Sequence, residues 1–440
     1  MDSRKKDKKW YAALIIGILL VYPVVNIILW LAGTPAAFFE YTVKEDGTIA
    51  IDNYDGYFFL VNIPDTIDGM TVSEISDGCF SVAKYRMYQT TYFRTKKWEE
   101  QERYELRYKI ILAVHIPDSV ERIGDQVFEN CTSLRYINMP ANLRNVGVAV
   151  LAYTKVSSLV FPEGIEQIGI DDTQDGGGEG SFMHMSSLRK VVFPSTLKVI
   201  GKRVFTHDEK LREITLPDGI ERIGLWGFLE CGLETINLPD SLEIIDADAF
   251  TGTPYEYVFQ EEHRQGDFII YKDTLYKYIG EDDADKDVVI PDGVKKIGSL
   301  AFEYKELRSV YIPDGVSEIG LSAFYYCSCT NVRMPDSLTF IDEGAFADCR
   351  SLKEITIPGS VEKISADSFS SCESLERLSI SNGVKEISGA AFIECTSLKS
   401  VVIPESVTVL GDGAFYDCTG LENVEIKGTI NSIGKDVFRG

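Results

Sequence analysis

Two hydrophobic periods organise this chain. Near the N-terminus apolar residues run together: no charged residue occurs from Trp10 to Phe39, and residues 10–33 are almost wholly apolar. As a helix that stretch is about 36 Å long, enough to cross a bilayer with some tilt. Trp10, Tyr11 and Trp30 stand near its ends, where amphipathic rings favour the interface, and Pro23 and Asn26 are tolerable inside a membrane helix. Residues 1–9 carry Arg4, Lys5, Lys6, Lys8 and Lys9 against Asp2 and Asp7. Such a basic flank stays on the cytoplasmic side. The pattern therefore predicts a cytoplasmic tail over 1–9, one transmembrane helix over 10–33, and the rest of the chain outside a plasma membrane. The rival reading is a cleaved signal peptide, for which Thr34-Pro35-Ala36 is a weak cleavage sequence. The apolar core of a signal peptide is usually about 7–15 residues, shorter than this one.

The second period is a repeat. From Pro64 onward the chain reads I-P-D-G-V-x-x-I-G-x-x-A-F-x-x-C-x-x-L-x-x-V-x and then again I-P, with uninterrupted copies 22 or 23 residues apart. The proline slot falls at Pro64, Pro117, Pro140, Pro162, Pro194, Pro217, Pro239, Pro291, Pro313, Pro335, Pro358 and Pro404, while Ser381 and Lys427 fill it without proline. In the copy that starts at Pro117, Leu134, Ile137 and Met139 form an L-x-x-L-x-L strand that Pro140 ends, because proline cannot continue the donor pattern. Asp118 and Ser119 are turn residues. Val120 and Ile123 return to the core, Gly124 is expected to permit a tight bend, and Val127, Phe128 and Cys131 fill the far side. No copy can bury these residues alone; stacked copies can, with strands about 4.8 Å apart. The phenylalanine slot, held by Phe in nearly every copy with Leu151 as the exception, is then a spine through the core. The predicted fold is a leucine-rich-repeat solenoid with a parallel β-sheet on its concave face. Capping strands occupy 40–63, and the solenoid runs over 64–440 with insertions near 81–110, 171–181 and 252–287.

The slots Ile312-Pro313, Ile319-Gly320, Ala323-Phe324 and Cys327, with the opening Asp46-Gly47-Thr48-Ile49 and Ile67-Asp68-Gly69, resemble the BspA-like leucine-rich repeats of bacterial cell surfaces. The resemblance covers about residues 40–440. It implies an adhesion or interaction protein that binds a protein or a glycan; the alternative is a structural envelope component with no specific soluble ligand. Fold alone does not decide between them.

Charge and chemistry narrow the picture. A net charge of -24 argues against nucleic acid as a partner. No G-x-S-x-G, H-E-x-x-H or P-loop sequence occurs, and the four histidines are scattered, so neither an enzyme nor a cofactor or metal site is expected. Seven of the nine cysteines, Cys131, Cys231, Cys327, Cys349, Cys372, Cys395 and Cys418, follow the phenylalanine-type slot by three residues, while Cys79 and Cys329 fill the Ala and Leu slots; all read as small buried hydrophobes. Asp171, Asp175, Gly176 and Glu179 partly fit a calcium loop, but Phe182 stands where its bidentate Glu belongs, so a flexible acidic loop is expected. The 81–110 insertion is rich in Tyr, Lys and Arg and reads as a surface helix or a binding loop. The segments 267–271 and 274–278 read as a hairpin.

One slot stands out on the strand, just after its first leucine-type residue. It reads Leu112, Arg135, Ser157, Arg189, Arg212, Glu234, Lys286, Arg308, Thr330, Lys353, Glu376, Lys399 and Glu422, with seven basic residues among thirteen in an acidic chain. These cations either neutralise neighbouring carboxylates or steer an acidic partner. The candidate ligand-facing residues are Arg135, Tyr136, Arg189, Arg212, Arg308, Tyr311, Arg333 and Lys353.

Overall fold

The computed structural model describes residues 21–81, 108–169 and 180–440. The basic tail, residues 10–20 of the predicted membrane helix, most of the 81–110 insertion and the calcium-loop candidates Asp171, Asp175, Gly176 and Glu179 lie outside the described residues. The described residues form a β-solenoid that divides into two units, residues 21–81, 108–169, 180–242 and 249–256 in the first, and 243–248 and 257–440 in the second.

The second unit shows how a coil is made. Strand Leu307–Tyr311 pairs in parallel with Asp283–Val289 and with Asn331–Arg333. Its Val310 points inward and is buried, while Arg308 is exposed. Pro313 ends this segment and the chain turns into a short strand, Glu318–Ile319. The I-G slots stack in register through Ile297, Ile319, Ile341, Ile364, Ile387, Leu410 and Ile433. A third ladder runs through the turn that follows, where Phe302 N–H donates to Ala323 O, Phe324 N–H to Ala345 O and Phe346 N–H to Ser368 O, each at 2.7 Å. Backbone groups on every side of the coil are thus satisfied by the next coil, as burial requires.

The turns differ from the sequence reading in one physical respect. Gly124 does not supply a left-handed bend; it lacks a positive φ. A Cβ on Gly124, Gly224, Gly298 or Gly320 would instead run into the backbone of the preceding coil, for example 2.8 Å from Ser299 N at Gly320. The glycine permits close coil-to-coil approach. The left-handed residues lie beyond it and flank Ala-Phe: Leu300 and Tyr304 around Phe302, Ser322 and Tyr326 around Phe324, Asp367 and Ser371 around Phe369, all with φ between 51° and 58°.

The spine is a stack of rings. In the second unit it runs Phe302, Phe324, Phe346, Phe369, Phe392, Phe415 and Phe438, with centroids 4.7–5.5 Å apart and planes within 14°. In the first unit Phe80 stacks on Phe128 at 5.0 Å, and Phe182, Phe205, Phe228 and Phe250 follow at 5.6–6.0 Å, with buried Leu151 in the slot between. All nine cysteines are free and buried. They do more than fill space, since the thiols of Cys131, Cys349, Cys372, Cys395 and Cys418 donate to the carbonyl of the preceding coil's phenylalanine at 3.0–3.4 Å. Burial holds the Cys349 thiol up at about 11, so it stays protonated and able to donate.

Each unit opens with an antiparallel hairpin that covers its first coil. In the first unit it is Phe39–Val43 with Ile49–Tyr54, within the expected capping strands; in the second it is Phe268–Tyr271 with Thr274–Tyr278, the expected hairpin. Both hairpins end in a tyrosine at the phenylalanine slot, Tyr54 and Tyr278, followed two residues on by Gly56 and Gly280, where a Cβ would collide with the tyrosine hydroxyl. The insertion near 252–287 also contains a helix, Pro254–His263, which the sequence reading did not anticipate.

Residues 21–32 are helical, and their polar side faces the first coil of the first unit. Asn26 is buried; its Oδ1 accepts from Phe59 N–H at 2.9 Å and its Nδ2 donates to Tyr22 O. Asn62 Nδ2 donates to Trp30 O at 2.7 Å, and Thr34 Oγ1 accepts from Asn62 N–H. Asn26 is therefore more than a tolerated blemish, since it satisfies the backbone at the start of strand Leu60–Asn62. Among the described residues, no helix is long and apolar enough to cross a membrane.

Candidate functional site

Period-two alternation fixes which residues of the strand sheet a partner meets. In the second unit, Asp287, Ser309, Asn331, Glu354 and Arg377 align in one outward column and Val289, Tyr311 and Arg333 in the other, which Thr356 and Ser379 continue. Several of these charges neutralise one another. Arg308 grips Asp287 through Nε at 2.7 Å and through Nη2, and with Ser309 it holds the Asp287 carboxyl down at about 2. Arg377 binds Glu354 at 2.6–2.9 Å, and Asn331 Nδ2 donates to the same carboxylate.

Arg333 is different. Its guanidinium lies 4.7 Å from the centroid of the Tyr311 ring and donates to the Tyr311 hydroxyl, and no carboxylate lies within ion-pair distance among the described residues. The ring orients the cation without cancelling its charge. Beside it lies an open groove of about 550 Å³ lined by Asn331, Arg333, Glu354, Thr356, Arg377 and Ser379.

The first unit has a smaller site. Arg135 and Tyr136 line a hollow of about 270 Å³ together with Trp30, His115, Asn138 and Ser157. Tyr136 is 70% exposed, Trp30 stands edge-on to His115 at 6.4 Å, and Asn138 is spent on both backbone groups of Ile116.

The eight candidate residues therefore separate. Arg135 and Tyr136 share one hollow, while Arg333 lines the groove and Tyr311 carries its guanidinium. Arg212 and Arg308 are neutralised by Glu234 and Asp287. Arg189 and Lys353 are exposed, and neither has an ion pair within the described residues. The sequence reading missed Trp30 and His115, and it missed Thr356 and Ser379, which lie at the outward positions of the repeat. Among the described residues no group of three His, Cys, Asp or Glu is arranged to hold a metal ion.

Residues 99–171, 178–263, 281–396 and 317–440 match the BspA-type leucine-rich-repeat region. The chain belongs to that family. No curated protein matches it. Among solved structures it is similar to a leucine-rich-repeat protein of Bacteroides ovatus, 22% identical over 90% of this chain and 89% of that one, with a TM-score of 0.35. A leucine-rich cell-surface protein of Faecalibacterium prausnitzii is also 22% identical, over 90% of this chain and 94% of its own, at a TM-score of 0.35. The pneumococcal vaccine antigen PcpA is 17% identical over 91% and 97%, at 0.39.

Proposed function

We propose that this BspA-type repeat protein is a cell-surface binding protein, with no catalytic role, that captures an acidic protein or an anionic glycan on the outer face of its strand sheets. The observation that carries this reading is Arg333, a cation held over Tyr311 at an open groove, with no carboxylate within ion-pair distance among the described residues. Arg135, Arg189 and Lys353 extend the same character. Steering by such charges acts chiefly on the association rate and is screened by salt. The test uses a sulfated octasaccharide and a polyglutamate peptide as probes in surface-plasmon titrations. Arg333→Ala should weaken binding about tenfold, the loss of one charge-assisted contact. Arg212→Ala and Arg308→Ala should change it less than about twofold, because those cations are already neutralised by the protein's own carboxylates. Equal losses at all three positions would refute the assignment.

We also propose that residues 10–33 hold the protein in a plasma membrane with the N-terminus cytoplasmic. Support comes from the helix over 21–32, where the side turned away from the first coil is Val21, Val24, Ile27, Ile28 and Leu31, all exposed and apolar. Carbonate-washed membranes should retain the protein, and N-terminal sequencing of the retained form should begin at residue 1 or 2. A start near Ala37 would overturn the anchor.

A further inference from the structure

The turn corner of the second unit carries a feature unrelated to the strand-sheet groove. Two residues after the phenylalanine slot, the chain takes a left-handed conformation in coil after coil. Bulky side chains are disfavoured there and short polar ones suit it. In this unit the slot reads Gly280, Tyr304, Tyr326, Asp348, Ser371, Glu394 and Asp417. Two consecutive tyrosines, at φ 58° and 55°, are the costly choice. A strained position occupied by an unfavoured residue points to a role beyond folding.

The two rings stack at 5.5 Å and 28°. Tyr325 stands edge-on to both, and the Arg350 guanidinium lies 5.5 Å from the centroid of Tyr326 while Asp348 and Glu373 hold it. Tyr304 is thus backed by an ordered stack. Its other side looks toward the preceding coil, whose residue in this slot is Gly280 and offers no side chain to cover it. Tyr304 is 60% exposed. Next in sequence, Lys305 extends to the preceding coil, where its Nζ donates to Gly280 O at 3.2 Å, lies 3.5 Å from Asp282 and stands 5.7 Å from the centroid of the Tyr278 ring.

We propose that Tyr304 is the platform of a saccharide site, on which the apolar face of a neutral pyranose stacks while Lys305, Asp282 and the Gly280 carbonyl bond its hydroxyls. A rigid ring with only two side-chain torsions gives contact area at small entropic cost. Asp282, Asp348 and Glu373 disfavour an anionic sugar. The Lys305 ammonium disfavours a cation, which would in addition need rings on more than one side.

The test titrates the full chain calorimetrically with neutral tetrasaccharides of glucose, galactose, mannose and N-acetylglucosamine, and with tetramethylammonium as the cationic probe. Tyr304→Asp is the informative variant, because Asp348 and Asp417 show that the turn accepts aspartate. At least one tetrasaccharide should bind the unaltered protein. Tyr304→Phe should keep that affinity within about threefold and Tyr304→Asp should lose about tenfold or more, a loss of roughly 1.4 kcal/mol. Arg333→Ala should leave it unchanged, which separates this site from the strand-sheet groove. The proposal is overturned if no tetrasaccharide binds, if Tyr304→Asp binds as well as the unaltered protein, or if tetramethylammonium displaces the sugar from the stack.

Discussion

Phe346→Ala is expected to destabilise the protein by about 3–5 kcal/mol, the usual range for removing a buried phenylalanine. Phe346 is fully buried and lies between Phe324 at 4.7 Å and Phe369 at 5.2 Å, with planes within 6° of both. Its backbone N–H donates to Ser368 O and its carbonyl accepts from the Cys372 thiol, both in the following coil. A cavity there has rings above and below held by their own ladders, so the walls cannot close on it. Phe438→Ala should cost clearly less, because Phe438 is 37% exposed and among the described residues stacks on Phe415 alone, at 5.5 Å. In a solenoid each coil meets only its neighbours, so the difference between the two positions measures the coupling itself. Urea titrations of the two variants provide the comparison, and equal costs would contradict a spine of nearest-neighbour contacts.

The register of this spine was legible because one slot repeats through the chain, and repetition lets a weak local signal accumulate. The proline, I-G, Ala-Phe and cysteine slots each became one ladder or column. What the sequence could not show was the conformational reason for each slot. Glycine after isoleucine reads as a flexible residue, yet its role is steric clearance for the preceding coil. The left-handed residues are hidden because they are Leu300, Tyr304, Ser322 and Asp367, which carry no glycine signal. The cysteines read as small hydrophobes, and only their geometry reveals a thiol donating to a carbonyl. The helix Pro254–His263 was legible and overlooked. Thr253-Pro254-Tyr255-Glu256 is a capping sequence, in which Thr253 Oγ1 accepts from Glu256 N–H at 3.1 Å and Glu256 reaches back to Gly252 N–H.

The candidate site was legible only as a set of columns. Counting basic residues in one slot found Arg135, Arg189, Arg308 and Lys353, but charge in a slot says nothing of what opposes it one coil away. Asp287 neutralises Arg308 by a diagonal reach: the repeat spacing puts position 287 opposite Ser309, one residue beyond Arg308. Trp30 was assigned to the membrane helix, so its place beside His115 and Tyr136 required the packing of residues 21–32 on the first coil.

Asp208→Asn should stabilise the protein by about 1–3 kcal/mol at pH 8 and have little effect near pH 4, the scale of an uncompensated buried polar group. Asp208 occupies the cysteine slot of its coil, three residues after Phe205, and is fully buried. One carboxylate oxygen accepts from Met185 N–H at 2.7 Å; the other has no partner among the described residues. Burial drives its pKa well above the ordinary 3.8, against the smaller opposing effect of the Met185 hydrogen bond. The carboxyl therefore keeps its proton in the folded chain over a pH range in which the unfolded chain has released it. Stability is complete below the unfolded pKa and falls as pH rises toward the folded one, the reverse of a salt-bridged aspartate. Asparagine keeps the Oδ1 acceptor for Met185 and cannot ionise, so its advantage should grow from pH 4 to pH 8. Urea midpoints of the two proteins at pH 4, 6 and 8 test this. A constant difference across the three values would show that Asp208 is charged in the fold and that the second oxygen has found a donor.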